Sequence, residues 1–120
     1  MNNPTNTKIS TTKFATYLKF AGAKKKAKTD DKVAQYNLAE LHLQYGQFQE
    51  ALGWYKKSAK QGYAPAQSRL GQMYLEGIHV KQDVQKAIYW YQQAFDQGLD
   101  VAPALDKATQ LLNKQKEQES

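Results

Sequence analysis

Two histidines are the residues of this sequence that could most readily carry acid–base or metal chemistry near neutral pH. His42 falls at a packing position of a predicted helix and His79 in a predicted loop, and no second histidine lies at helical spacing from either. The chain has no cysteine, which excludes disulfides, thiolate zinc sites and cysteine nucleophiles. Its carboxylates are scattered, and its glycines form no phosphate-binding loop. We therefore predict no catalytic residue, no metal site and no cofactor, and expect a protein that is not an enzyme.

The elements that position these residues are helices, because apolar side chains recur at spacings of three and four residues. Short polar residues such as Asp31 and Asp83 mark helix starts, and glycines mark helix ends. Very short turns between consecutive helices require antiparallel pairs. The predicted helices run over about 31–45, over about 47–61, from 64 to Gly77, from Asp83 to Gly98, and over about 104–116. No strand pattern of useful length competes with them, so the fold class is all-α.

Two of the predicted helix pairs are copies of one unit. Residues 51–55 (ALGWY) match residues 87–91 (AIYWY), and a second Ala-Pro-Ala helix start at 102–104 opens a third unit. Self-similarity at this period predicts an α-solenoid of about two and a half repeats. Since three repeats are usually needed for stability, we expect the flanking helices to cap the stack, with homo-oligomerisation as another way to cover its ends. Ala39 and Gly71 should allow close helix approach, and we interpret Trp54 and Trp90 as packing residues rather than ligand anchors.

The second unit combines small, aromatic and turn residues in a specific pattern over residues 64–98. The residues of this pattern are Leu70, Gly71, Tyr74, Gly77, Asp83, Lys86, Ala87, Trp90, Tyr91, Ala94 and Gly98. In this pattern the unit resembles, almost completely, the Sel1-like repeat, a relative of the tetratricopeptide repeat. The first unit, over about 31–63, is a hybrid whose turn at Gly46 is similar to that of a tetratricopeptide repeat. The resemblance implies a right-handed solenoid of antiparallel helix pairs with a concave face, and an adaptor or scaffold role.

In such repeats the first helix of each pair lines the concave face, so the resemblance also implies where a partner would bind. The surface that the resemblance indicates mixes charged, polar and apolar residues. Such a surface favours a peptide or protein ligand held by hydrogen bonds and an aromatic contact. We expect a protein-interaction module of the adaptor, regulator or immunity type. Its candidate contacts are Tyr36, Glu40, Leu43, Gln44, Ser68, Gln72, Glu76, Asp106 and Gln110.

The formal charge of +6 is concentrated in the first 29 residues, which hold seven lysines and no acid. Residues 30–120 hold ten basic and eleven acidic residues, so the repeat body is nearly neutral. The alternative function is therefore binding of nucleic acid or another acidic surface through this arm, with the repeats as scaffold. Candidate electrostatic contacts are Lys19, Lys24, Lys25, Lys26 and Lys28.

The arm, residues 1–29, is predicted to begin disordered and to form a helix over about 12–28. Its apolar stripe of Phe14, Tyr17, Leu18 and Ala21 should cover the open end of the stack. The repeat domain spans 30–116, and residues 117–120 should fray. No apolar run reaches the length of a membrane span and no secretion signal is recognisable, so we expect a cytoplasmic protein.

Overall fold

Six helices build the chain in the computed structural model, which describes residues 4–119 and the side chains from Thr12 onward. No strand occurs within those residues, and each helix packs on the next one along the chain. The predicted all-α fold of antiparallel helix pairs is confirmed. The helices are α1 (Pro4–Ala27), α2 (Lys32–Gln44), α3 (Phe48–Lys60), α4 (Ala64–Glu76), α5 (Val84–Asp96) and α6 (Ala102–Glu119).

The predicted helix starts at Asp31 and Asp83 are confirmed. The Asp31 carboxylate accepts hydrogen bonds from the backbone N–H of Val33 at 2.9 Å and of Ala34 at 3.1 Å. The Asp83 carboxylate accepts one from the backbone N–H of Lys86 at 3.0 Å. Each side chain thereby satisfies N–H groups that the first turn of a helix leaves without a partner.

The two terminal helices are longer than the sequence pattern suggests. Helix α1 begins at Pro4, ahead of the predicted helical stretch at 12–28, and residues 1–3 of the predicted disordered start lie outside the described residues. Helix α6 continues through Glu119, into the segment predicted to fray, and Ser120 lies outside the described residues. No helix within residues 4–119 is both long and apolar enough to traverse a bilayer.

The core lies between the helices of both units and depends on one very close helix contact. A Cβ atom added at Gly71 would lie 2.9 Å from three ring atoms of Tyr91, whose side chain is buried. The first unit has Ala39, fully buried, at the equivalent position. The predicted close approach is thus confirmed. Trp54 and Trp90 pack on the core as expected, but both are only half-buried.

Glutamine side chains join consecutive units through a pattern of hydrogen bonds that repeats. The Gln35 Nε2 donates to the Ala27 carbonyl at 3.3 Å, and the Gln35 Oε1 accepts from the Gln61 Nε2 at 2.7 Å. The equivalent bonds one unit later are Gln67 to the Ala59 carbonyl at 3.1 Å and Gln97 to Gln67 at 2.8 Å. Ala27 therefore takes the place of Ala59. Helix α1 occupies the position that a second helix of a preceding unit would have.

The predicted covering stripe of α1 is wrong, because a different face of the helix packs on the stack. Phe14, Tyr17 and Leu18 are 62%, 66% and 52% exposed, and Ala21 is exposed as well. The residues of α1 that pack on Leu38 and Leu41 of α2 are Phe20, Ala23 and Ala27. Anchoring the Ala27 carbonyl at Gln35 sets the rotation of α1. At 100° per residue, the mean direction of the predicted stripe lies about 140° from that of the three packing residues.

Candidate partner-binding face

The first helices of the two units, α2 and α4, are joined by an ion pair between residues 29 positions apart. The Arg69 guanidinium donates to the Glu40 carboxylate from Nη2 at 3.0 Å and from Nε at 3.3 Å. Its remaining nitrogen, Nη1, donates to the Gln72 side-chain oxygen at 3.2 Å. About a third of each ionic side chain stays exposed, so the pair lies at the surface of the groove between these helices.

Tyrosines surround the Glu40 carboxylate on the side of the core. The Tyr55 hydroxyl, from the second helix of the first unit, donates to Glu40 at 2.9 Å. The ring of Tyr36 lies 5.8 Å from that of Tyr55 and 5.3 Å from that of Tyr63, between ring centroids. These edge and tilted contacts are the geometry that aromatic pairs prefer. The cluster thus combines a charged pair with a row of aromatic rings.

The protonation states of this cluster are set by its own contacts. Burial alone would raise the pKa of Glu40, but hydrogen bonds from Tyr55 and Tyr36 and the charge of Arg69 outweigh it and lower that pKa. Burial, and then Glu40, raises the pKa of Tyr55 and of Tyr36. At neutral pH the carboxylate is therefore charged and both phenols are protonated. This arrangement provides fixed hydrogen bonds rather than a proton donor or acceptor poised for catalysis.

The structure brings some of the predicted contact residues together and leaves others apart. Tyr36, Glu40 and Gln72 belong to the cluster around Arg69. Glu40 also lines a surface depression of ≈ 360 Å³ together with Leu43, Gln44 and Lys19. The remaining candidates lie outside both: Ser68 is half-buried on α4, Glu76 is exposed at the end of α4, and Asp106 and Gln110 are exposed on α6.

The five lysines chosen from the arm are all exposed on α1 or directly after it. They do not form one cluster. Lys19 points to the depression on the α2 side, whereas Lys24 lines a groove that also contains Tyr17 and Trp54. Lys28 lines a different groove with Lys57 and Lys60 of α3.

Three residues of the cluster were missed by the sequence interpretation: Arg69, Tyr55 and Tyr63. Arg69 is the chain's only arginine and precedes Gln72 by three residues, so helical spacing alone places both on one face. Tyr55 reads as a core residue, and its ring is indeed fully buried. No sequence pattern indicates that its hydroxyl bonds Glu40, which lies 15 residues earlier on another helix.

Both histidines have packing partners. The His42 Nδ1 lies 2.6 Å from the Gln47 side-chain oxygen, and its ring lies 5.0 Å from that of Phe20. The His79 ring stacks on that of Phe48, with 3.4 Å between centroids. In the part of the chain that the structure describes, no group of three or more His, Cys, Asp or Glu residues is arranged to hold a metal ion.

Comparison with known proteins supports the repeat interpretation. The family model for the Sel1 repeat matches twice, over residues 32–63 and 64–99. A sel1-like repeat-containing protein of Acanthamoeba polyphaga mimivirus is 49% identical over 43 residues, which are 36% of this chain and 7% of that protein. The crystal structure of a Sel1 repeat protein from Oxalobacter formigenes superposes with a TM-score of 0.60 at 37% identity, over 66% of this chain and 34% of that one. The chain thus spans only a part of each relative.

Proposed function

This chain belongs to the Sel1 repeat family, and from that premise we propose that it is a non-enzymatic interaction module that binds a peptide or protein partner along α2 and α4. Sel1 repeat proteins are in general protein-interaction modules, and their repeats are a non-catalytic helical scaffold. The proposed role is that of an adaptor, a regulator or an immunity-type protein acting in the cytoplasm. The binding face is the concave side, which the first helix of each unit lines.

The observation that carries this proposal is the Glu40–Arg69 ion pair. It joins the first helices of the two units. Tyr36 interacts with both charged residues, and its ring contacts that of Tyr63. A pair of opposite charges held by protein contacts presents a fixed pattern of acceptors and donors. Binding to a fixed pattern requires less ordering of side chains and therefore loses less free energy.

The chemistry of this face favours a partner that combines polar groups with an apolar anchor. Leu43 and the Tyr36 ring offer apolar surface, whereas Gln44 and Gln72 offer amide donors and acceptors. An extended or helical peptide segment with one aromatic or aliphatic side chain matches such a surface. We expect modest affinity, because much of the face remains hydrated and few contacts can be fully desolvated.

A matched pair of charge reversals tests the face. Glu76 ends α4 on the proposed face, and Asp96 ends α5 away from it, and both are exposed last residues of 13-residue helices. Peptides selected from a random display library on the full chain would be measured by fluorescence anisotropy against Glu76→Lys and Asp96→Lys. We expect Glu76→Lys to weaken binding by roughly ten-fold and Asp96→Lys to leave it unchanged. Equal loss in both variants, or selected peptides insensitive to Glu76→Lys and to Gln72→Ala, would refute this face as the site.

The alternative function is binding of nucleic acid or another acidic surface by the lysines of the N-terminal arm, with the repeats as scaffold. It is favoured by one observation, that Lys19, Lys24, Lys25, Lys26 and Lys28 are all exposed. Such binding would weaken steeply with salt, because each neutralised phosphate releases counterions. Measuring the affinity of a single-stranded oligonucleotide at several salt concentrations tests it. Under the concave-face proposal, peptide binding should instead depend little on these lysines.

A further inference from the structure

Helices α1 and α3 present lysines in register on their outer sides. The bond from Gln35 to Ala27 matches that from Gln67 to Ala59, so residues of α1 and α3 correspond at a separation of 32. This correspondence pairs Lys25 with Lys57 and Lys28 with Lys60. All four are exposed, and Lys28, Lys57 and Lys60 line one groove. The acids on this side are Asp30, in the same groove, and Glu50 on α3.

An apolar stripe continues the lysines of α1 along the same side of the helix. Phe14, Leu18, Ala21, Lys25 and Lys28 follow one another at i, i+4, i+7, i+11 and i+14, so they share one face. Phe14 and Leu18 are more than half exposed, and the adjoining Tyr17 is 66% exposed. One face of α1 is therefore apolar in its first half and basic in its second. Ala21 and Tyr17, at its edge, also border a groove that contains Leu38 of α2. We name this stripe, with Lys57 and Lys60, the outer face.

A preceding repeat helix is a poor occupant for this end of the stack. In α3 the residues that face the first helix of the same unit include the fully buried Ala51 and Ser58, and the Ser58 hydroxyl donates to the Lys32 carbonyl of that partner segment. The corresponding residues of α1 are Lys19 and Lys26, both exposed. A helix packed on that side of α1, which is not the outer face, would bury two lysines. A second copy is also disfavoured, because two acid-free segments of seven lysines would repel each other.

We infer that the outer face docks on an anionic phospholipid bilayer, with Phe14, Tyr17 and Leu18 inserted among the headgroups and acyl chains. Interfacial helices combine an apolar face with lysines that snorkel to the lipid phosphates. The lysines of α3 in register with those of α1 extend the positive surface beyond one helix. A nucleic acid would engage the lysines, but its phosphates would leave the apolar half of the stripe in water. The inference uses the lysines of the alternative function above and is independent of the α2–α4 face.

Vesicle binding of the full chain tests the inference. The probes are vesicles of phosphatidylserine and phosphatidylcholine in equal parts, vesicles of phosphatidylcholine alone, and a single-stranded oligonucleotide. We expect binding to the mixed vesicles and far weaker binding to the neutral ones. Neutralising Lys25 and Lys28 together, as Lys25→Gln/Lys28→Gln, should weaken vesicle binding by roughly 25-fold, at about five-fold per lysine. Leu18→Ser should weaken it by roughly ten-fold.

The control is Lys114→Gln/Lys116→Gln, which removes the same charge from exposed positions of α6 and should leave vesicle binding unchanged. Circular dichroism of each variant shows whether the helices are retained. We expect them to be retained, because all the substituted side chains are exposed. Absence of binding to the mixed vesicles overturns the inference. Vesicle binding that is insensitive to Leu18→Ser also overturns the inference, because it would show that electrostatic attraction acts without insertion of the apolar side chains. Oligonucleotide binding without vesicle binding would support the alternative function instead, and unchanged vesicle binding by Glu76→Lys separates this face from the proposed peptide site.

Discussion

Replacing Gly71 with alanine tests the contact between α4 and the Tyr91 ring. The added Cβ would lie 2.9 Å from three atoms of that ring, including Cγ, which is fixed close to the α5 backbone. Carbon atoms pack favourably at about 3.5–4.0 Å, so the ring or the helix must move by about 0.6 Å or more. Gly53 supplies a matched control. It lies inside α3, is exposed, and has no neighbouring atom within 4 Å of an added Cβ.

The two alanines should act in opposite directions. Both gain about 1 kcal/mol, because alanine loses less backbone freedom than glycine when a helix forms. Gly53→Ala should therefore stabilise the protein by about that amount. At Gly71 the overlap with a buried ring adds a penalty of about 1–3 kcal/mol, typical of an overpacked core. We expect a net loss of about 1 kcal/mol for Gly71→Ala, and a difference of about 2 kcal/mol between the variants.

Urea and thermal unfolding followed by circular dichroism measure this difference. At about 4 °C of Tm for each kcal/mol in a chain of this length, the two variants should melt roughly 8 °C apart. If Gly71→Ala were as stable as Gly53→Ala, the added Cβ would carry no penalty, and α4 and α5 would be able to separate at no cost. The close contact would then not be what positions the second unit.

Three further predictions concern the bonds that hold the units in place. Because the fold lowers the pKa of Glu40 below the ordinary pKa of a glutamate side chain, its charge stabilises the fold above that ordinary pKa. The stabilisation disappears as the pH falls through the lowered pKa. Glu40→Gln should cost about 1 kcal/mol near neutral pH and nothing in acid, measured by urea unfolding across pH. Gln67→Leu should lower the free energy of unfolding by about 1 kcal/mol, since it removes the bond to the Ala59 carbonyl and the bond from Gln97. The Ala59 carbonyl keeps its bond from the Gly62 N–H, and the freed Gln97 amide is exposed, so no buried group is left unpaired. Asp83→Ala should lower Tm through a loss of about 1 kcal/mol, whereas the exposed Asp100→Ala should change stability by less than about 0.5 kcal/mol.

The candidate site was predictable only in part, and the reason lies in the range of its interactions. Helical spacing placed Tyr36, Glu40 and Gln72 on first helices, and all three meet in the cluster. Arg69 could have been found by the same spacing. The hydroxyl bond of Tyr55 could not, because the identity of its partner depends on how α3 sits against α2. Assignment of these residues to partner binding stays a prediction.

What the sequence determined by itself is local. The spacing of apolar residues, the aspartates that cap helix starts and the glycines that end helices define the helices, because each depends on residues a few positions apart. The similarity of two segments defines the repeat, because it is visible in the sequence without any contact between them. The tertiary structure decided how each helix is rotated. Helix α1 has two candidate apolar stripes, and the bond between Gln35 and the Ala27 carbonyl selects the one through Phe20 and Ala23. That choice, made by contacts with another helix, leaves the stripe from Phe14 to Leu18 at the surface.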